Sequence, residues 1–166
     1  MQQVLILSFV ERSNTLTSEK GSKLVSPETI VACARSWLNT PYHHQASVKG
    51  AGCDCLGLIR GVWRECIGPE PERVPNYSRD WAEASGREIM LETFERNMDK
   101  IHVSQRKAGD VIVIRWKPKT VVKHCFILTE RNRGIHAIDR NPVAEINLNG
   151  YWIQRIAGAF RFPGVA

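Results

Sequence analysis

At 166 residues with a net charge of +6, the chain has room for one domain. Its 43% hydrophobic and 24% charged residues are those of an ordinary globular protein, which excludes a disordered chain. No apolar run approaches the roughly 18 residues of a membrane span, and the Val4–Val10 run, broken by Ser8 and preceded by no Lys or Arg, does not read as a signal peptide. The expectation is synthesis in the cytoplasm without a secretion address. Charge is unevenly placed: residues 1–100 hold 12 basic and 13 acidic side chains, residues 101–166 hold 11 and 4. A basic C-terminal half favours an anionic partner such as nucleic acid, acidic lipid or a carboxylate-rich polymer. Five cysteines in a chain read this way are expected to be free thiols rather than a disulfide framework.

Residues 1–25 mix a short apolar run with Ser, Thr, Lys and Gly and read as an arm, leaving residues 26–166 as the single domain. Ser26 can cap a helix, Pro27 suits its first position and Glu28 suits the positive end of its dipole. Ile30, Val31, Ala34, Trp37 and Leu38 then keep helical spacing until Pro41 stops it. A loop over residues 41–53 leads to a second helix from Cys55 to Cys66, with Ile59, Val62, Trp63 and Cys66 on one face. Gly57 and Gly61 each cost this helix up to about 1 kcal/mol relative to Ala, which implies that another segment approaches closely there. Residues 68–79, with Pro69, Pro71 and Pro75, form a connector, and a third helix lies within Trp81–Met98. Beyond residue 100 the segments Ile101–Val103, Val111–Trp116, His124–Thr129, Ile135–Asp139, Val143–Leu148 and Ile153–Phe162 read as strands. Helices first and strands afterwards predict an α+β domain, its N-terminal helices packed on a mainly antiparallel sheet of five to six strands.

The segment Gly50-Ala51-Gly52-Cys53-Asp54-Cys55-Leu56-Gly57-Leu58 delivers a cysteine to the first turn of a helix. The free N–H groups and dipole there favour an anion, so a thiol at Cys55 tends toward thiolate. The bland alternative is a small buried hydrophobe. A thiolate enzyme also needs a base oriented by a third polar group. His124 opens one apolar strand and His136 interrupts the next. With the hairpin turning near Arg131 in a loop over residues 129–133, Phe126 lies opposite His136 and His124 sits one pleat step further on the same face. The two rings then come within reach of each other.

In order along the chain stand Pro41-Tyr42, Gly52-Cys53-Asp54-Cys55-Leu56-Gly57-Leu58, Gly109-Asp110 before a strand, His124, and Ile135-His136-Ala137. This set resembles the NlpC-type cell-wall cysteine peptidases, a papain-like group, over residues 27–164. Trp63-Arg64-Glu65, Asp80–Glu83 and Ala159–Pro163 bring it nearer to the short forms found in phage and gene-transfer-agent tails. The resemblance implies Cys55 as nucleophile, His124 as its base and His136 as the residue that orients the base. It further implies Tyr42 beside the nucleophile and Asp54 as an acid that helps hold the substrate's free amino end. The substrate would be a peptidoglycan stem peptide, cut at the D-γ-glutamyl–diaminopimelate amide without metal or cofactor. The enzyme would ride on a tail hub or baseplate and act in the target cell's periplasm. Leu56 departs from the Ser of most relatives and bears on substrate preference.

Among the remaining residues, His43 and His44 are candidates to line the cleft, and Lys117, Lys119 and Lys123 to form a cationic rim. Cys33, Cys66 and Cys125 read as packing. A zinc site joining Cys53 and Cys55 to His43 or His44 is the minor alternative, because Cys-x-Cys is not the usual ligand spacing. Rival functions are a tail-tip docking protein with a weak or lost site and an intracellular thiol amidase or acyltransferase. A nucleic-acid-binding role rests on charge alone, for no phosphate loop or nucleic-acid motif appears.

Overall fold

In the computed structural model, Ser26 caps α1 (Pro27–Arg35) as its sequence requires, its Oγ accepting from the Thr29 N–H at 3.3 Å. The structure describes residues 25–78 and 86–166. Residues 1–24 of the expected arm over 1–25 and the Asp80–Glu83 motif therefore lie outside the described residues, while Val25 bridges to Val165. α1 ends three residues earlier than its apolar spacing suggests: residues 36–39 form turns, closed by Asn39 at φ 66°. Trp37 keeps the expected inward direction, only 1% exposed, with Nε1 donating to Glu65 at 2.9 Å.

The loop over residues 41–53 carries two short strands, β1 (Ser47–Val48) and β2 (Gly52–Cys53), paired antiparallel. Two-residue strands have no periodicity to read, so the sequence showed only a loop. α2 (Cys55–Cys66) spans the expected residues. Its glycines are sites of close approach, as predicted: a Cβ on Gly57 would sit 1.9 Å from the Ala46 carbonyl oxygen, and one on Gly61 2.0 Å from the Trp37 ring. The connector packs over α2, and α3 (Ile89–Asn97) turns Met90 and Phe94 into the core.

Six strands follow: β3 (Asp99–Ile101), β4 (Val111–Arg115), β5 (Val122–Glu130), β6 (Arg133–His136), β7 (Ala144–Asn147) and β8 (Ile156–Arg161). They form one antiparallel sheet in the order β3-β8-β4-β5-β6-β7. Two expected strands are corrected at their ends. Residues 103–105 form a single 3₁₀ turn, and Ile153 closes a short helix, α4 (Gly150–Ile153), capped by Asn149. The Asn-Gly pair at 149–150 starts that helix and keeps Ile153 out of β8. Strand alternation gives the sheet two buried faces. Val111, Val113, Cys125, Ile127, Ile135 and Phe160 pack under α1, α2 and α3, while Ile112, Ile114, Phe126, Leu128 and Ala159 pack with Leu148 and the flank of α4.

The Gly109-Asp110 motif is structural. Asp110, 1% exposed, accepts from the Lys107 N–H at 2.8 Å and pairs in bidentate fashion with Arg161 at 2.8 and 3.0 Å. That pair ties the start of β4 to the end of β8.

Candidate active site

The candidate nucleophile, Cys55, is positioned by its neighbour in sequence. Asp54, extended at φ −102° and 3% exposed, caps α2 by accepting the Gly57 N–H on Oδ1 at 2.8 Å. Its Oδ2 accepts from the Gln45 N–H at 2.8 Å and the Tyr77 hydroxyl at 2.6 Å, with His44 Nδ1 at 3.6 Å. One carboxylate thus holds together the helix start, the turn before β1 and the connector. Cys55 follows as the first helical residue, half-buried at the foot of an open cleft of about 320 Å³.

The candidate base, His124, is held by the sheet. His124 Nε2 lies 2.9 Å from His136 Nδ1, and both rings are buried, at 3% and 4% exposure. The β5–β6 register produces this: Ile127 faces Ile135 and Leu128 faces Gly134, which places Phe126 opposite His136 as expected. The turn is tighter than the five-residue loop anticipated. Glu130 pairs with Arg133, and a bulge at Thr129 takes up the extra residue. The rings are then boxed by aromatics. Phe126 stacks on His136 at 4.6 Å, Trp116 stacks on His124 at 5.2 Å, and Trp152 closes the far side.

Burial and the adjacent His124 push His136 down to about 3, so it stays neutral as a partner for His124. With Nε2 engaged by His136, His124 has Nδ1 left for Cys55, and the two side chains border the same cleft. Cys125, 1% exposed, lies on the helix-facing side of β5, in the core cluster against which Cys55 packs. The polar influence of Cys125 and then of His124, with the charge on that imidazole, holds the Cys55 thiol well below its ordinary value, against burial and the nearby Asp54 charge. Cys125 is displaced the opposite way, by burial and then by the influence of Cys55.

The expected residues therefore separate. Cys55, His124, Tyr42, Asp54, His44 and Lys123 all border the cleft, with His136 directly behind His124. His43 does not: it is exposed, with its ring against Gly52. Two-residue alternation carries it to the side opposite Tyr42 and His44. Lys117 and Lys119 stand exposed on the turn after β4, outside the cleft lining. Among the described residues no three His, Cys, Asp or Glu side chains gather into a metal site, so the zinc alternative has no donor set. Cys53 is fully buried and pushed up to about 12 by burial and by Asp54. Two participants were not foreseen in these roles: Tyr77 reaches Asp54 from 23 residues away with no local signal, and Trp116 stacks on His124. Cys125 packs in the core, as its reading predicts.

Residues 39–161 match the NlpC/P60 family. The chain belongs to that family. NlpC/P60 members are cysteine peptidases and peptidoglycan hydrolases, and the mixed helix-and-antiparallel-sheet architecture is their papain-like fold. The NlpC/p60 domain of the peptidoglycan hydrolase SagA superposes with a TM-score of 0.58 at 23% identity, over 82% of this chain and 98% of that one. An NlpC/P60 family protein from Bacillus cereus ATCC 10987 gives a TM-score of 0.60 at 21% identity, over 82% of this chain and 40% of that protein. A gamma-DL-glutamyl hydrolase from Bacillus subtilis (strain 168) is 25% identical over 137 residues. Those residues are 82% of this chain and 29% of that protein's length.

Proposed function

We propose that this NlpC/P60 domain hydrolyses an amide of the peptidoglycan stem peptide, between D-γ-glutamate and diaminopimelate. The observation that carries the reading is the Cys55–His124–His136 array at the foot of an open cleft. In this mechanism the Cys55 thiolate attacks the amide carbon. The N–H groups and dipole at the start of α2 stabilise the oxyanion. His124, as imidazolium, donates its Nδ1 proton to the leaving amine while its Nε2–H stays bonded to neutral His136. A thioester remains on Cys55. His124 then takes a proton from water, which attacks the thioester and frees the acid. The choice of bond draws support from the γ-glutamyl specificity named for the Bacillus subtilis relative.

The setting we propose is a phage-like or gene-transfer-agent tail, with the enzyme docked on a hub or baseplate and acting on the target cell's wall. Its support is the ordered set of sequence motifs, including the C-terminal Ala159–Pro163. Immunoblotting of purified tail particles checks the location. The activity is tested by digesting purified muropeptides and mapping the new ends by mass spectrometry. Release of fragments beginning with diaminopimelate supports the reading. New ends at the glycan–peptide amide reassign the bond, and wall binding without products points to a docking module instead.

A further inference from the structure

A histidine base that works as an imidazolium needs something to favour its cation, and the third residue of this array supplies no charge. His136 is a neutral ring 2.9 Å from His124, where a carboxylate would also have brought an opposite charge. Asp54 is already committed to the Gly57 N–H, the Gln45 N–H and the Tyr77 hydroxyl. His124 is only 3% exposed, so water does little of that work. What lies against it instead is an indole. Ile114 pairs with His124 across β4 and β5, and two residues on, Trp116 keeps the face of Ile112 and Ile114. Its ring stacks on the His124 ring at 5.2 Å between centroids and 27° between planes, within the roughly 6 Å over which an aromatic face attracts a cation. Phe126 meets His124 edge-to-face and Trp152 lies further off at 6.3 Å, so the stacked face is that of Trp116. Arg155 fixes it there, donating from Nε to the Trp116 carbonyl at 3.1 Å and from Nη1 to the Tyr151 carbonyl at 2.7 Å. Trp116 also borders the cleft beside His124, half-buried.

We propose that Trp116 is a positioning residue that acts through the base, its indole face stabilising the imidazolium form of His124 and with it the thiolate–imidazolium pair with Cys55. An aromatic face attracts a cation more strongly where water is displaced, and Trp offers the best face of the aromatic side chains. The neutral imidazole gains only apolar contact from the same stack. Loss of the indole therefore makes the His124 proton easier to remove, and leaves the Cys55 proton unaffected while the imidazolium is present. Other titratable and charged groups face His124: Cys55 and Asp54 from the start of α2, His136 on β6 with Asp139 beyond it, and Lys123 beside it on β5. Tyr42, His44 and Tyr77 border the same cleft. All of these except Cys55 are kept throughout the test below, and Cys55 is the same within each comparison, so a shift belongs to the indole. The inference rests on the hydrolase reading for what the imidazolium does, while its stabilisation is measurable without substrate.

The test compares three changes at this position. Trp116→Leu keeps an apolar cover, Trp116→Phe keeps a weaker aromatic face, and ring-fluorinated tryptophan placed at position 116 alone keeps the shape while draining the face of negative charge. In a Cys55→Ala background the His124 ring is titrated by NMR of isotope-labelled histidine, its signal assigned by its loss in His124→Asn. The expected midpoint is lower by about one pH unit in Trp116→Leu and by less in Trp116→Phe, with a further step down for each added fluorine. With Cys55 present, the alkaline limb of kcat/KM for a stem peptide should move the same way while the acid limb stays in place. Midpoints in Trp116→Leu and the fluorinated protein within about 0.2 unit of the parent overturn the proposal. An equal loss of kcat/KM at every pH, with both limbs unmoved, also overturns it, because that is the result of packing alone. If the leucine variant folds poorly, the fluorinated protein decides the matter, since its shape is that of the parent. Shifted titrations in a protein that cuts no stem peptide count against the hydrolase assignment and leave the stacking role standing.

Discussion

Replacing Asp54 by alanine should cost the fold more than any other single change at the site, while leaving the nucleophile's chemistry in place. The wild-type carboxylate accepts three hydrogen bonds, from the Gly57 N–H, the Gln45 N–H and the Tyr77 hydroxyl, at 3% exposure. Loss of the cap on α2 costs about 1 kcal/mol. Stranding two further donors in a closed site adds about 1–3 kcal/mol between them once the tyrosine reorients. The sum, about 2–4 kcal/mol, is a large share of the roughly 5–15 kcal/mol a domain has, and moves a urea midpoint down by roughly 1–2 M. Asp54→Asn keeps the Gly57 bond but turns an amide toward the Gln45 N–H, so about half the loss should appear. A midpoint for Asp54→Ala within roughly 0.3 M of the parent refutes the reasoning. Kinetics on substrates with free and acetylated amino ends separate this role from the family expectation for Asp54. A purely structural carboxylate leaves the ratio of KM values for the two substrates unchanged in Asp54→Asn.

Iodoacetamide should label Cys55 first at pH 6, where an ordinary thiol is only roughly 0.3% ionised, because Cys125 and His124 favour its thiolate while burial raises Cys33, Cys53, Cys66 and Cys125; equal labelling of all five contradicts this. His136, neutral in the fold down to about 3 but protonated near 6.5 when unfolded, gives the unfolded state more bound protons between those values. Stability should therefore be full above pH 6.5 and fall on acidification, by about 2 kcal/mol at pH 5 from this residue, and His136→Asn should flatten that decline. An unchanged pH slope in melting experiments counts against it. Replacing Lys117, Lys119 and Lys123 with Gln should lower the rate on intact wall at low salt and leave a short soluble muropeptide nearly unaffected, since exposed charges are screened over about 8–10 Å. Parent-like rates at every ionic strength remove the steering role.

What could be read from the sequence was what local rules govern. Ser26-Pro27 and Asp54-Cys55 set helix starts through side chains that reach only a few residues, and the His124–His136 pairing follows from a two-residue period and one turn. Even so, Asp54 was credited only with a substrate role, although an Asp directly before a helix is itself a capping signal. The remainder depends on contacts without sequence proximity. Tyr77 reaches Asp54 through a proline-rich connector that has no period. Trp116 keeps the face of Ile112 and Ile114, but its contact with His124 depends on the pairing of β4 with β5, where Lys123 bulges out of register. Cys125 reads as core from its strand position and is core.

The most direct test of the account is capture of the thioester. A stem-peptide substrate carrying the D-γ-glutamyl–diaminopimelate bond is mixed with enzyme, quenched in acid within one turnover, and the protein weighed intact. The account predicts an added acyl fragment on Cys55, removable by hydroxylamine, larger in yield when His124 is replaced after acylation is made easy by an activated ester, and absent from Cys55→Ala. Hydrolysis of the amide by Cys55→Ala at the parent rate, with no adduct on the parent, would contradict it.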